Sequence, residues 1–127
     1  MAHNNLPHDH GNLSFEILKN LPEDSSFSSI SSILDLLADK NRLKLFWILC
    51  HCKECVINLS AMMEMSSPAV SHHLKILKTA GLIISHREGK EVYYKAAETV
   101  EVNTIHKTVE DLMSIVCPIK HEIINKD

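Results

Sequence analysis

Apolar side chains at Phe27, Ile30, Leu34 and Leu37 step by three and four, which predicts an amphipathic helix from Phe27 onward. The serines between them are mediocre helix formers and fall on its outward side. Asp39 or Asn41 is placed to cap a second helix, in which Leu43, Leu45, Phe46, Trp47, Ile48 and Leu49 are apolar nearly all round. Such a helix belongs at the centre of a small domain. A short apolar helix follows over Val56 to Met63. Met65-Ser66-Ser67-Pro68 then offers Ser67 as an N-cap and Pro68 as the first helical residue of a helix from Ala69 to Ala80, which Gly81 ends. Its apolar stripe is Val70, Leu74 and Leu77, with Ser71, His72, Lys75 and Lys78 toward the other side. Leu82-Ile83-Ile84 and Val92-Tyr93-Tyr94 are β-prone runs flanking Arg87-Glu88-Gly89-Lys90, where Gly89 can take the positive φ of a hairpin turn. Past Glu98, Val102, Ile105, Val109, Leu112 and Val116 form a narrow heptad-like seam, predicting a long helix that meets another subunit and is interrupted at Pro118.

With 127 residues, the chain has room for one ordinary domain. Residues 1–13 carry His3, His8 and His10 without periodicity and read as a flexible arm, leaving 14–127 as a single domain. Aromatic residues make up only 5%, so aliphatic side chains and methionine must fill the core, which favours helix on helix. No apolar run approaches the ~20 residues of a membrane span, and the N-terminus lacks a basic-then-apolar signal region. The expectation is a cytoplasmic protein with no membrane partner.

The formal charge of −3 opposes nucleic-acid binding until its distribution is considered. Between Pro68 and Lys95, Lys75, Lys78, Arg87, Lys90 and Lys95 outweigh Glu88 and Glu91, giving +3 and leaving −6 elsewhere. Binding follows local potential rather than net charge. Two helices joined by a tight turn, then a hairpin with a basic tip, make a helix-turn-helix with a wing, whose second helix enters the major groove. Ser67, Ser71, His72 and His73 are small or hydrogen-bonding and suit base edges. Lys75, Lys78, Arg87 and Lys90 suit phosphates, which position without specifying. Ser66 and Tyr93 complete the candidate DNA-binding set.

The run Ser66-Ser67-Pro68-Ala69-Val70-Ser71-His72-His73-Leu74-Lys75-Ile76-Leu77-Lys78-Thr79-Ala80-Gly81-Leu82-Ile83 resembles the recognition helix of the ArsR/SmtB family of metal-responsive repressors. Arg87-Glu88-Gly89-Lys90-Glu91-Val92-Tyr93-Tyr94 is similar to that family's wing, and the likeness extends from Leu36 to Val116. The resemblance implies a mainly α winged helix-turn-helix with a small β-hairpin, dimerising with a second copy through its N- and C-terminal helices. It also implies binding to double-stranded operator DNA and release when an inducer arrives.

Soft thiolates select zinc, cadmium, lead or trivalent arsenic over hard cations. Cys50, Cys52 and Cys55 are spaced C-x-C-x2-C, and Cys117 lies on or just past the last helix. On an ideal helix Cys50 and Cys52 would diverge by about 200°, so a three-thiolate site needs non-helical backbone near 51–54 or a ligand from elsewhere, with Cys117 the natural candidate. The family's thiolate motif, Leu-Cys-Val-Cys-Asp-Leu, aligns its first cysteine with Cys55 but places Ile57 at the second and Asn58 at the aspartate. Two thiols have moved upstream instead. The resemblance further implies that His8, Asp9 and His10 of the arm could supply ligands, as in some relatives, and His51 is a further nitrogen donor. The family's other site, on the last helix, is represented only by His106 and Glu110, which are not taken as ligands.

Three functions compete. The leading one is a repressor released by Zn, Cd, Pb or As(III) at Cys50, Cys52, Cys55 and Cys117. The second keeps the DNA module and makes the sensor a thiol-redox or persulfide switch pairing Cys50, Cys52 or Cys55 with Cys117. The third, an enzyme using Cys52-Lys53-Glu54-Cys55 as a redox pair, lacks the βαβ setting that motif wants. With no persuasive Ser-His-Asp set or phosphate-cradling glycine loop either, no enzyme is expected.

Overall fold

The computed structural model describes residues 6–117, so His3 and Pro118 lie outside the described residues. The chain divides into two compact units, Met1–Leu34 and Asp35–Asp127.

The first unit holds helix α1, Asn12–Lys19, and most of α2, Asp24–Ala38. The periodicity did not anticipate α1, and Asn12 and Leu13, read as part of the arm, are helical. Serine-rich α2 begins three residues before the predicted start, with Asp24 in its first turn to complement the helix dipole. Ser29 and Ser32 donate to the carbonyls of Ser25 and Ser28, four residues back, which occupies their hydroxyls without breaking the helix. Phe27, Ile30 and Leu34 are exposed.

The second unit is built around α3, Lys40–His51. Asp39 is its cap, accepting from the backbone N–H groups of Asn41 and Arg42 at 2.9 and 3.0 Å. The Asp39 carboxyl is held below its ordinary value, first by the Arg42 N–H; burial opposes this, while the Arg42 charge, the Asn41 N–H and His73 add to it. Leu45, Phe46 and Leu49 of α3 are buried with Leu59 and Met63 of α4, Val56–Met63, and with Val70, Leu74 and Leu77 of α5, Ser67–Thr79. Leu82, Ile83, Ala97 and Val102 complete this core. It contains one aromatic ring, Phe46, as the composition requires.

α4 ends at Glu64 in the left-handed conformation, φ 53°, and the Met65 N–H donates to the Ser60 carbonyl to close the helix end. The cap of α5 is Ser66, one residue before the predicted Ser67: its hydroxyl accepts from the Ala69 N–H, and Pro68 sits in the first turn. Gly81, φ +80°, turns the chain out of α5. Strands β2, Ile83–Glu88, and β3, Glu91–Ala96, pair antiparallel from Ile83↔Ala96 to Glu88↔Glu91 about Gly89-Lys90, where Gly89 has φ +63°. The hairpin is not alone. A short strand β1, Glu54–Cys55, pairs with β3 at Glu54↔Tyr94 and Cys55↔Tyr93, giving the order β1-β3-β2. Two residues between a helix end and the next helix carry no period-2 signal, so the pattern did not mark β1.

Thr99 caps α6, Val100–Val116. The seam divides along its length. Val102 is buried in the core, whereas Leu112 and Val116 are 57% and 81% exposed.

Glu64 supplies a stability test. Glu64→Gly should raise stability by about 0.5–1 kcal/mol, the relief of left-handed strain (~1–2 kcal/mol) less glycine's extra unfolded-state entropy. A denaturant midpoint that stays put or falls would show that Glu64 is not strained.

Candidate nucleic-acid interface and thiol corner

Burial of Val70, Leu74 and Leu77 fixes the rotation of α5 and turns Ser67, Ser71, Lys75 and Lys78 outward at spacings of four, four and three. Ser66, Ser67, Ser71, His72, Lys75 and Lys78 are all exposed. Ser67 Oγ lies 3.1 Å from Ser60 Oγ, tying the start of α5 to α4. His73 stands apart from the sequence-predicted set: it is half-buried, with Nδ1 shut off from solvent, on the side of α5 that influences Asp39.

The hairpin carries Arg87 and Lys90 at its exposed tip. Lys78 Nζ donates to Ser85 Oγ at 2.7 Å, bracing the end of α5 against β2. Tyr93 is half-buried, stacked near His86 with Lys53 Nζ 5.2 Å from its ring centre. Lys53 also reaches Glu88 Oε2 at 2.5 Å, and His86 bonds the same oxygen. The Glu88 carboxyl is held below its ordinary value first by the Lys53 hydrogen bond and then by His86. Glu88 is thereby paired, while Arg87, Lys90 and Glu91 face solvent.

The four thiols are free and differently placed. Cys50 is half-buried in the last turn of α3. Cys52 is the C-cap residue, with extended backbone at φ −156° and ψ 160°, and its Sγ lies 3.6 Å from the Ile48 carbonyl. The chain does leave helical geometry where a multi-thiol site would need it to. Cys55 is buried in β1 opposite Tyr93, and Cys117 is half-buried at the end of α6. Cys50, Cys52, His51 and His106 line one cavity of about 340 Å3, which does not include Cys55 or Cys117. Among the described residues no three thiols converge. The metal-capable trio whose ligand atoms all lie within 4.8 Å is instead His51, His106 and Glu110. His8 and His10 stack on each other with ring centres 5.8 Å apart. Sequence reasoning set His106 and Glu110 aside; their four-residue spacing was visible, but not that His51 would meet them.

Burial, and secondarily the Glu110 carboxylate, pushes the Cys50 thiol up to about 12. Burial and then Glu54 also raise Cys52. In Glu110 itself burial pulls the carboxyl upward, but hydrogen bonds from His51 and His106, with their charges, leave it below its ordinary value.

These positions make an outward helix face beside a basic hairpin, with thiols and imidazoles gathered at the end of α3. A family profile described as "Bacterial regulatory protein, arsR family" matches residues 39–85. The chain is 42% identical over 67 residues to the cadmium resistance transcriptional regulatory protein CadC of Listeria innocua, covering 52% of this chain and 56% of that protein. It is 30% identical over 70 residues to the arsenical resistance operon repressor of Staphylococcus aureus, covering 55% of this chain and 67% of that one. The match thus spans little more than half the length of the cadmium regulator. Among solved structures, a homodimeric winged helix-turn-helix DNA-binding domain from Mycobacterium bovis superposes with a TM-score of 0.63 at 23% identity, covering 72% of this chain and 83% of that one. The fold is a winged helix-turn-helix.

The two upstream thiols should differ in reactivity. Only the thiolate is nucleophilic, and a thiol titrating near 12 is almost wholly protonated at neutral pH. In the reduced protein at pH 8, iodoacetamide should modify exposed Cys52 well before Cys50, with Cys50 accelerating only as pH climbs toward 12. Mass spectrometry of timed digests reads the order; equal rates at pH 8 would contradict this burial.

Proposed function

The chain belongs to the arsR family of bacterial regulatory proteins, and on that premise we propose that it is an operator-binding transcriptional repressor, released when a thiophilic metal or metalloid occupies its thiols. The observation that carries this reading is the outward face of α5, where Ser67, Ser71, His72 and Lys75 stand exposed over a buried Val70, Leu74 and Leu77 stripe. Residues near the start of α5 read base edges in the major groove, and Lys75, Lys78, Arg87 and Lys90 hold phosphates. Two copies act together. Exposed Phe27, Ile30 and Leu34 on α2, and Leu112, Ile115 and Val116 on α6, are apolar surfaces of the kind a second copy covers.

The inducer is Zn, Cd, Pb or As(III), the ions that thiolates prefer. Cys50 and Cys52 share a cavity, and the extended backbone at Cys52 removes the divergence an unbroken helix would impose. Half-buried Cys117 is the further sulfur of this proposed set, while Cys55 is enclosed in the sheet. A bound cation replaces the thiol protons and supplies the charge that burial denies a bare thiolate. The thiol-redox alternative draws less support from this corner, because Cys50 and Cys52 are both shifted toward the protonated, unreactive form. Release follows if the ion favours a dimer geometry that fits DNA poorly; a coupling of ~1–3 kcal/mol weakens binding about 5- to 150-fold.

Fluorescence anisotropy on a duplex from the chain's own upstream DNA tests both halves. Lys75→Ala should weaken binding similarly across sequences and flatten the dependence of log affinity on log salt by about one unit, the signature of one phosphate contact. An unchanged slope removes Lys75 from the interface. Cys52→Ser and Cys117→Ser should bind DNA as the parent does yet resist release by Cd2+ or arsenite. Release of both variants at parental concentrations would refute the thiol site.

A further inference from the structure

At the end of α3 and the middle of α6, three side chains meet that lie far apart in sequence. His51 Nε2 and His106 Nε2 are 2.7 and 2.9 Å from the same Glu110 oxygen, Oε1, and 3.4 Å from each other. His106 and Glu110 are four apart on α6 and share a face. His51 is the last residue of α3. Its ring is held by Trp47, one turn earlier, with ring centres 4.3 Å apart, and it meets His106 edge-on at 5.0 Å. Glu110, only 8% exposed, is the buried charged residue of the described core. A carboxylate in that position needs compensating partners, and two imidazoles supply them.

The same three atoms form a ligand set. With metal–ligand bonds of about 2.0–2.1 Å, tetrahedral geometry sets ligand atoms about 3.3–3.4 Å apart. The two imidazole nitrogens already stand at 3.4 Å. The Glu110 oxygen has to withdraw by roughly half an ångström to match that spacing, a small side-chain rotation. Both rings border the 340 Å3 cavity, so a fourth position is open to solvent. Trp47, packed on His51, limits that ring's freedom, and the α6 backbone fixes the other two ligands relative to each other. Two imidazoles and a carboxylate without sulfur suit first-row divalent ions of intermediate softness rather than cadmium, lead or trivalent arsenic.

We propose that His51, His106 and Glu110 form a second metal site, built within a single chain and separate from the thiols, for a divalent ion of the zinc, cobalt and nickel class. It ties the last residue of α3 to the middle of α6, through side chains alone. It goes beyond the thiol reading and stands whether or not the cysteines answer cadmium or arsenite.

Cobalt(II) is the probe, because its spectrum reports its ligands. Titrated into the full-length reduced chain without DNA, Co2+ should give visible d–d bands of low coordination number that belong to a site distinct from any thiolate-to-cobalt band in the near ultraviolet. Those d–d bands should persist in Cys52→Ser, and the chain's melting temperature should rise with Co2+. His106→Ala and Glu110→Gln should each weaken binding roughly tenfold or more, the loss seen even for residues that only support a ligand. His51→Gln, at the open end of α3, carries the same expectation should a substitution at buried Glu110 compromise folding; circular dichroism without metal identifies that case. Absence of the d–d bands in Cys52→Ser, or parental Co2+ affinity in both His106→Ala and His51→Gln, would overturn the site. Failure of Cd2+ to release DNA would bear on the thiol reading alone.

Discussion

The structure turns on the burial of one stripe, Val70, Leu74 and Leu77, against the core that α3 and α4 provide. Each of these side chains is worth roughly 1.5–3 kcal/mol when taken fully out of water, so together they hold α5 at a single rotation. That rotation turns Ser67, Ser71, Lys75 and Lys78 outward as a group. A helix held less firmly would present a mixed face, because a turn of about 100° exchanges one residue's direction for its neighbour's. Ser66 and Pro68 define where the helix starts, and the left-handed Glu64 sets the angle at which α4 hands over to it. The outward face is a consequence of core packing.

Charge is arranged by the same economy. The overall charge is negative, yet two acids near the basic face are occupied, Glu88 by Lys53 and His86 and Glu98 by Lys95, while Glu91 stays exposed beside Lys90. Exposed pairs of this kind add little stability. Their effect is to localise charge, leaving Arg87 and Lys90 at the hairpin tip and Lys75 on the helix. At physiological ionic strength fields fade over about 8 Å, so a ligand at this face responds to these few groups more than to the distant acidic remainder.

Most of the fold was legible because its signals are local. Periodicity marked the core stripe of α5, the apolar α3 and the long α6, and Gly81 and Gly89 marked the turns they make at positive φ. The N-cap was displaced by one residue because Ser66 and Ser67 are chemically equivalent candidates and only backbone geometry chooses between them. β1 escaped because a two-residue strand is defined by its partner, Tyr93-Tyr94, and by nothing in its own composition. The seam of α6 was read as one surface, whereas Val102 enters the core and Leu112 and Val116 do not. Heptad spacing describes one helix and does not say which neighbour each part meets.

The end of α3 shows where local reading stops. Four cysteines invite a single sulfur cluster, but the fold distributes them: Cys55 into a strand, Cys52 onto extended backbone, Cys50 into the last helical turn, Cys117 to the end of α6. What the fold does bring together is His51, His106 and Glu110, separated by as many as 59 positions. Buried Glu110 is the reason. A carboxylate is costly to bury without partners, and exposed His51 and half-buried His106 supply them where the end of α3 comes beside α6. Sulfur and nitrogen donors consequently border the same cavity as two sets of different softness, and a cation entering it meets a choice set by its own chemistry.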